Sequence, residues 1–202
     1  MALQFERGLF WVLAALWLAG CAESQSASTS LDVQINSAPK SAYALDIKFT
    51  NIPQPAQKIE VYGFYRVENA ECVKALPLSG AVLQPVHRLL LPLQKVADGH
   101  YRTEFYQDAL RDENYFDIGI CRWRLQNIAA YFSSPTTRFI ASLSNSQSRS
   151  ETTFSATEYF LHRDYFEKPK VGTIVFGEDA DFYRPGLSKQ FQVRLSAEKR
   201  QP

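Results

Sequence analysis

The sequence predicts an all-β protein whose main domain is a single antiparallel β-sandwich, immunoglobulin-like or similar, over residues 42–202. Apolar and polar residues alternate with a period of two over many short segments, as they do in half-buried strands. Prolines, glycines and polar clusters separate these segments at the spacing of strands joined by turns. The composition, 46% apolar and 13% aromatic, is that of an ordinary globular chain.

The first strong alternation runs from Tyr43 to Phe49 and predicts a half-buried strand. Before it, the Ser- and Ala-rich residues 22–41 predict a flexible tether, in which Leu31–Ile35 forms a first edge strand. Pro53 and Pro55 follow, and neither can donate to a strand ladder. The next alternation, residues 59–67, has aromatic residues on both faces and predicts a central strand.

The middle of the chain predicts a hairpin. Residues 87–96 are strand-like but are interrupted at Pro92, and Asp98-Gly99 is a strong turn signal before a strand at His100–Gln107. Residues 108–117 break the alternation, which predicts one helical turn or an ordered loop.

The longest strand candidate runs from Cys121 to Phe132, and a shift of its apolar phase near Asn127-Ile128 predicts a β-bulge. Further strands are predicted at 136–143, 171–176 and 190–195, the last of which closes the domain. Residues 144–153 are polar and predict a surface loop. The aromatic-rich segment 159–166 is assigned no strand.

The first twenty residues predict a secretory signal peptide. Leu9–Leu18 is an uninterrupted apolar run of ten residues, whereas crossing a bilayer takes roughly 20. Arg7 precedes the run and small residues follow it, which is the order of an exported precursor. The alternative is a short anchor helix that is never removed.

The segment Leu18-Ala19-Gly20-Cys21 resembles the lipobox of bacterial lipoproteins. The resemblance implies cleavage before Cys21 and attachment of diacylglycerol and further acyl chains such as palmitate, so that Cys21 holds the protein on a lipid bilayer. The predicted organisation is then a signal peptide over 1–20, a lipidated cysteine and tether over 21–41, and the sandwich over 42–202. Because Ala22 rather than Asp follows the cysteine, the resemblance implies the periplasmic face of the outer membrane, with the inner membrane as the alternative.

Two cysteines remain in the mature chain, Cys72 and Cys121. In an exported protein such a pair predicts a disulfide more readily than a metal site or a catalytic thiol. The bridge would close a loop of about 50 residues and contribute roughly 4 kcal/mol in the chain-entropy model. Two free buried thiols are the alternative.

The sequence offers little catalytic chemistry. A formal net charge of +1 gives no electrostatic footprint for nucleic acid. His87, His100 and His162 lack the spacing of a zinc site, and no Gly-x-Ser-x-Gly nucleophile motif or phosphate-binding glycine loop occurs. We therefore predict no metal, no cofactor and no enzymatic activity, although distant residues could assemble a triad in the fold.

A candidate partner-binding segment coincides with the break in pattern at 108–117. Four carboxylates and an aromatic pair stand there, a combination that predicts a protein-binding loop, although the carboxylates could also gather around a cation. The alternative is structural: the carboxylates cap local backbone and the aromatic pair covers the core. The predicted binding residues are Asp108, Asp112, Glu113, Tyr115, Phe116 and Asp117.

A wider set of aromatic residues could form a platform for sugars or proteins, or could fill the core, as aromatics at period two usually do. These residues are Tyr62, Phe64, Tyr65, Tyr106, Tyr115, Phe116 and Trp123.

Residues 112–123 (DENYFDIGICRW) resemble a segment of small proteobacterial lipoproteins, some encoded near type VI secretion genes, in which an acidic turn and paired aromatics lead into a Cys-x-Trp strand. A glycine is expected where Asp117 stands. The resemblance implies a protein-binding role, in its sharpest form immunity against a secreted toxin. The alternatives are a structural or assembly lipoprotein of an envelope or secretion complex, and an envelope hydrolase or glycan-binding protein.

Overall fold

The computed structural model describes residues 31–145, 152–167, 174–179 and 189–200, and it confirms the all-β sandwich. Two five-stranded sheets pack against each other. In spatial order, the first sheet contains β4 (Gln94–Ala97), β5 (His100–Tyr106), β1 (Ala42–Thr50), β10 (Gln190–Lys199) and β8 (Thr153–Leu161). The second contains β3 (Val86–Leu91), β2 (Lys58–Val67), β6 (Trp123–Ser133), β7 (Arg138–Ser144) and β9 (Ile174–Phe176). A 3-10 turn (Ala70–Cys72) and a short helix α1 (His162–Phe166) complete the described elements.

The strand pairing differs from the prediction in one respect. All pairs in the described residues are antiparallel except β7–β9, where Arg138–Ile140 runs parallel to Ile174–Phe176. The second sheet is therefore mixed. The predicted closing strand, β10, lies inside the first sheet and pairs with β1 on one side and β8 on the other.

The structure also alters the start of the domain. Residues from Asp32 onward belong to the compact unit, and Asn36 and Arg111 make backbone hydrogen bonds that join this segment to the loop after β5. The predicted edge strand at Leu31–Ile35 is reduced to one isolated bridge between Ile35 and Leu110. The part of the predicted tether before residue 31, with Cys21 and the signal peptide, lies outside the described residues.

The strand-like run at 87–96 is two strands in different sheets. Pro92 ends β3 in the second sheet, and the Thr103 hydroxyl donates to the Pro92 carbonyl at 2.7 Å where the chain crosses to β4 in the first sheet. The predicted hairpin is confirmed: β4 and β5 pair across Asp98-Gly99, and Gly99 adopts φ +67°. A Cβ at Gly99 would also lie 3.1 Å from the Phe49 carbonyl oxygen.

The predicted bulge is confirmed in β6. Phe64 faces Asn127 and Tyr65 faces Leu125, so Gln126 is the additional residue. The bulge shifts the apolar phase of β6, which keeps Trp123 and Leu125 inside on one side of it and Ile128 inside on the other.

A cluster of aromatic rings fills the space between the sheets at the end where α1 lies. Phe132 stacks on Phe139, with ring centroids 5.0 Å apart, and meets Phe160 edge-on at 5.4 Å. Phe191 stacks on Phe160 at 5.1 Å, and Tyr165 of α1 stacks on Phe139 at 5.7 Å. All five side chains are fully buried, and they come from both sheets and the helix. These contacts hold the sheets together.

Residues 153–161, for which the sequence predicts no strand, form β8. Its alternation is obscured by Glu158, a partly buried carboxylate that accepts hydrogen bonds from the Ser142 backbone N–H at 2.9 Å and hydroxyl at 2.8 Å. These bonds tie the edge of the first sheet to β7 of the second. Gly177 packs so closely on Glu158 that a Cβ there would overlap it. Burial, opposed by the Ser142 hydrogen bonds, raises the pKa of Glu158.

Candidate protein-binding surface

Cys72 and Cys121 join two loops at one end of the sandwich. The sulfur atoms lie at disulfide-bonding distance, 2.04 Å, and the Cα atoms are 5.2 Å apart. Both residues are buried, Cys72 at the end of the 3-10 turn and Cys121 two residues before Trp123 of β6. The bond therefore connects the loop that follows β2 to the loop that precedes β6.

Asn69 holds the same two loops together without covalent chemistry. Its side-chain N–H donates to the Ile120 carbonyl at 2.9 Å, and its side-chain oxygen accepts from the Arg122 N–H at 2.7 Å. The Glu68 N–H donates to the Arg122 carbonyl at 2.9 Å. The Arg124 guanidinium lies 3.5 Å from the Glu68 carboxylate and 3.6 Å from that of Asp112. The two loops thus share a polar network as well as the disulfide.

The loop after Cys72 exposes apolar side chains on an ordered backbone. The Leu76 N–H donates to the Ala81 carbonyl and the Gly80 N–H to the Leu76 carbonyl, both at 2.9 Å, and Gly80 adopts φ +67°. The exposed apolar residues of this loop are Leu76, Leu78, Val82 and Leu83, of which Leu78 is fully exposed and Leu83 67% exposed.

The partner loop adds two isoleucines. Ile118 and Ile120 are 50% and 53% exposed, and they lie within three residues of Cys121. The Cys121 N–H donates to the Glu113 carbonyl at 2.8 Å, which closes this loop into a narrow hairpin-like turn. We call the exposed apolar side chains of the two loops the disulfide-end surface: Leu76, Leu78, Val82, Leu83, Ile118 and Ile120.

The predicted acidic residues have mainly structural contacts, and 108–117 is an ordered loop without a helix. The Asp108 carboxylate accepts the N–H groups of Lys40 at 2.8 Å and Ser41 at 3.0 Å. Asp112 accepts the Trp123 N–H at 2.8 Å, and Glu113 pairs with Arg111 at 2.6 Å. The loop therefore does not present four free carboxylates to a cation or partner.

Tyr115 also has a structural position. Its hydroxyl donates to the Arg111 carbonyl at 2.8 Å and accepts the Gln34 N–H at 3.3 Å, and its ring meets Trp123 edge-on at 6.1 Å. Partial burial raises the pKa of the Tyr115 hydroxyl. Phe116 is half-buried beside it. These contacts favour the structural alternative for Tyr115.

Asp117 is exposed, as Asp112 is, but it lies at the tip of the loop. Its φ is +60°, in the left-handed region that glycine prefers and that aspartate tolerates. The glycine expected at this position from the resemblance would therefore suit the same turn.

The wider aromatic set divides between core and surface. Tyr65 and Trp123 are core residues, and the Tyr65 hydroxyl donates to the Tyr106 carbonyl at 2.6 Å. Burial raises the pKa of Tyr65. Tyr62 and Phe64 are half-buried on the outer face of the second sheet, where the Arg88 guanidinium lies 5.5 Å from the Tyr62 ring centroid.

The outer face of the first sheet has a different character. Arg102 pairs with Asp46 at 2.9 Å, and Arg200 lies 3.5 Å from Glu104. Lys48 and Arg194 are exposed on the same face. Charged side chains thus cover the first sheet, whereas aromatic and aliphatic side chains are prominent on the second.

The described histidines lie apart. His87 packs against Trp123, His100 bonds Asp46, and the His162 Nε2 atom lies 2.9 Å from the Asn51 carbonyl. Within the described ranges, no group of three or more His, Cys, Asp or Glu side chains is arranged to hold a metal ion. No helix in this part of the chain has the length and apolarity needed to span a membrane.

Sequence reasoning missed the disulfide-end surface, which lies next to the segment it selected. Residues 76–84 contain Pro77 and Gly80, which are typical of a loop. A usable signal is present: four large aliphatic residues stand in a loop that has no strand or helix period, and such residues have no inner face to occupy. No protein-family model, curated protein or solved structure matches the chain.

Replacing Asp108 and Asp117 by asparagine separates a structural from an exposed carboxylate in the same loop. Asp108→Asn removes one of two acceptors for backbone N–H groups, so we expect the free energy of unfolding to fall by about 1–2 kcal/mol. The matched change Asp117→Asn keeps a residue that tolerates positive φ, and we expect a change within about 0.5 kcal/mol. Urea denaturation measures both, and equal effects would contradict these assignments.

Proposed function

We propose that the protein is a lipid-anchored, periplasm-facing lipoprotein that works as a non-enzymatic protein-binding module through its disulfide-end surface. The observation that supports this most is the exposure of aliphatic side chains on two loops that a disulfide and Asn69 hold together. Single exposed apolar residues are common on protein surfaces, whereas six on two connected loops are typical of an interaction site.

The order of these loops supports binding in a second way. A segment that is already fixed loses less conformational entropy when a partner docks than a flexible one does. The Leu76–Ala81 and Cys121–Glu113 backbone hydrogen bonds fix the loop backbones before any partner arrives. Aliphatic anchors with charged neighbours such as Arg122 and Asp117 would then resemble the apolar centre and polar rim of an interface.

The proposed location rests on the N-terminal sequence. The apolar run Leu9–Leu18 and the lipobox ending at Cys21 support export and lipidation, and Ala22 supports the outer membrane. A disulfide between Cys72 and Cys121 suits an oxidising compartment. Immunity against a secreted toxin is the sharper form of the proposal. It stays a prediction that a toxin gene beside this one would favour.

Metabolic labelling with a fatty-acid analogue tests the anchor. We expect label on the wild-type protein and its loss in Cys21→Ser, because the thiol is the predicted site of diacylglycerol attachment. Cys72→Ser with Cys121→Ser is the matched control and should keep the label. Labelled Cys21→Ser protein would contradict the proposed lipidation.

Site-specific photo-crosslinking in the native host tests the binding surface. A photoreactive amino acid at Leu78, Leu83 or Ile120 should give one discrete, identifiable protein adduct, because these side chains would lie inside the interface. The same amino acid at Lys48 or Arg194, on the charged face of the first sheet, should not give that adduct. Adducts from the charged face alone would place the binding surface elsewhere and overturn the proposal.

A further inference from the structure

The edge strand of the second sheet, β3, is a candidate binding site separate from the disulfide-end surface. In the described part of the chain β3 pairs only with β2, so one side of β3 is an open strand edge. The loop that carries Leu83 leads directly into this strand. Open edges of this kind can accept an extended segment from another protein as an added strand.

The pairing register identifies the open backbone groups. The Val67 N–H donates to the Pro85 carbonyl at 3.1 Å, which makes residues 67 and 85 a hydrogen-bonded pair. Because such pairs alternate along antiparallel strands, His87, Leu89 and Leu91 also direct their backbone groups toward β2. The N–H and C=O groups of Val86, Arg88 and Leu90 therefore point away from the sheet.

The side chains of the same three residues lie on the outer face of the sheet. Val86 and Leu90 are 54% and 61% exposed, and Arg88 stands between them over the Tyr62 ring. An open cavity of about 430 Å³ beside the strand is lined by Phe64, Val86, His87 and Arg88. The side chains of an added strand would thus meet apolar Val86, cationic Arg88 and apolar Leu90 in turn. The cavity could hold one of those side chains.

Two features limit what can pair with this edge. Pro92 follows β3 at a position whose N–H would point away from the sheet, and because proline has no N–H an added strand loses a donor there. A second copy whose own β3 pairs antiparallel with Val86 opposite Leu90 would set Arg88 opposite Arg88, and like charges directly opposite each other are destabilising. Exposed Arg66, whose strand neighbour is Val86, adds a second positive charge.

We propose that β3 binds an extended acidic segment of a partner protein, which joins the second sheet as an additional strand. A carboxylate of that segment pairs with Arg88, and its apolar residues two positions to either side contact Val86 and Leu90. This inference rests on the proposed protein-binding function, because it names the kind of segment that the partner would present beside the disulfide-end surface.

Peptide binding to the purified full-length protein tests the proposal. The probe is a fluorescently labelled synthetic peptide in which valine and threonine alternate around a central glutamate. Matched peptides carry a central lysine, or N-methyl groups on alternate backbone nitrogens. We expect the glutamate peptide to bind about fivefold more tightly than the lysine peptide, and N-methylation on the pairing side to weaken binding at least tenfold, by about 1.4 kcal/mol, because it removes several backbone hydrogen bonds.

Two variants, each with a matched control, test whether the peptide binds at β3. Arg88→Glu should reverse the preference, so that the lysine peptide binds better, whereas Arg194→Glu on the first sheet should change nothing. Leu90→Pro removes an outward N–H that β2 does not use and should abolish binding, whereas Leu90→Thr keeps that N–H and should retain most of it. If Leu90→Pro fails to fold, the N-methylated peptides still report on the backbone bonds.

The other outcomes overturn strand addition. These are no binding, binding that N-methylation does not weaken, a preference that Arg88→Glu does not reverse, or self-association of the free protein through β3. Because the photo-crosslinking positions lie on the disulfide-end loops, a discrete adduct there would leave the proposed function standing when strand addition fails. Absence of an adduct from Leu78, Leu83 and Ile120 together with normal peptide binding would instead overturn the disulfide-end surface as a binding site and leave strand addition standing.

Discussion

The packing of aromatic rings between the two sheets is the constraint on which the structure depends. Phe132 and Phe139 of the second sheet, Phe160 and Phe191 of the first, and Tyr165 of α1 form a continuous buried cluster. A slip of one residue in any of these strands would move a ring from the core to solvent. The cluster therefore fixes the register of both sheets, and with it the side chains that face outward.

The two outer faces that result are chemically different. The first sheet carries paired and exposed charges, such as Arg102 with Asp46, which suit a surface that stays in water. The second sheet presents Tyr62, Phe64 and Leu90, and its open edge continues into the loop that the disulfide holds. A partner could thus meet backbone groups, aromatic rings and aliphatic side chains on one side of the molecule, and we infer that binding is confined to that side.

Local pattern predicted most strands, the hairpin and the bulge, because period-two alternation and turn residues are local properties. It missed β8 because Glu158 stands among its buried positions, and its partner Ser142 is 16 residues away. The parallel pairing of β9 and the change of sheet at Pro92 depend on where distant strands lie. The same limit applies to the site: Asp108 resembles a free carboxylate in sequence, but its partners, near Ser41, are more than sixty residues away.

Amide hydrogen exchange of the full-length protein, without a partner, tests most directly the claim that the second sheet has an open edge beside its binding loops. We predict alternation along β3: slow exchange at His87, Leu89 and Leu91, whose N–H groups bond β2, and fast exchange at 86, 88 and 90, whose N–H groups face solvent. Protection of all six amides would mean that another part of the chain or a second copy already covers the edge, and it would contradict the account.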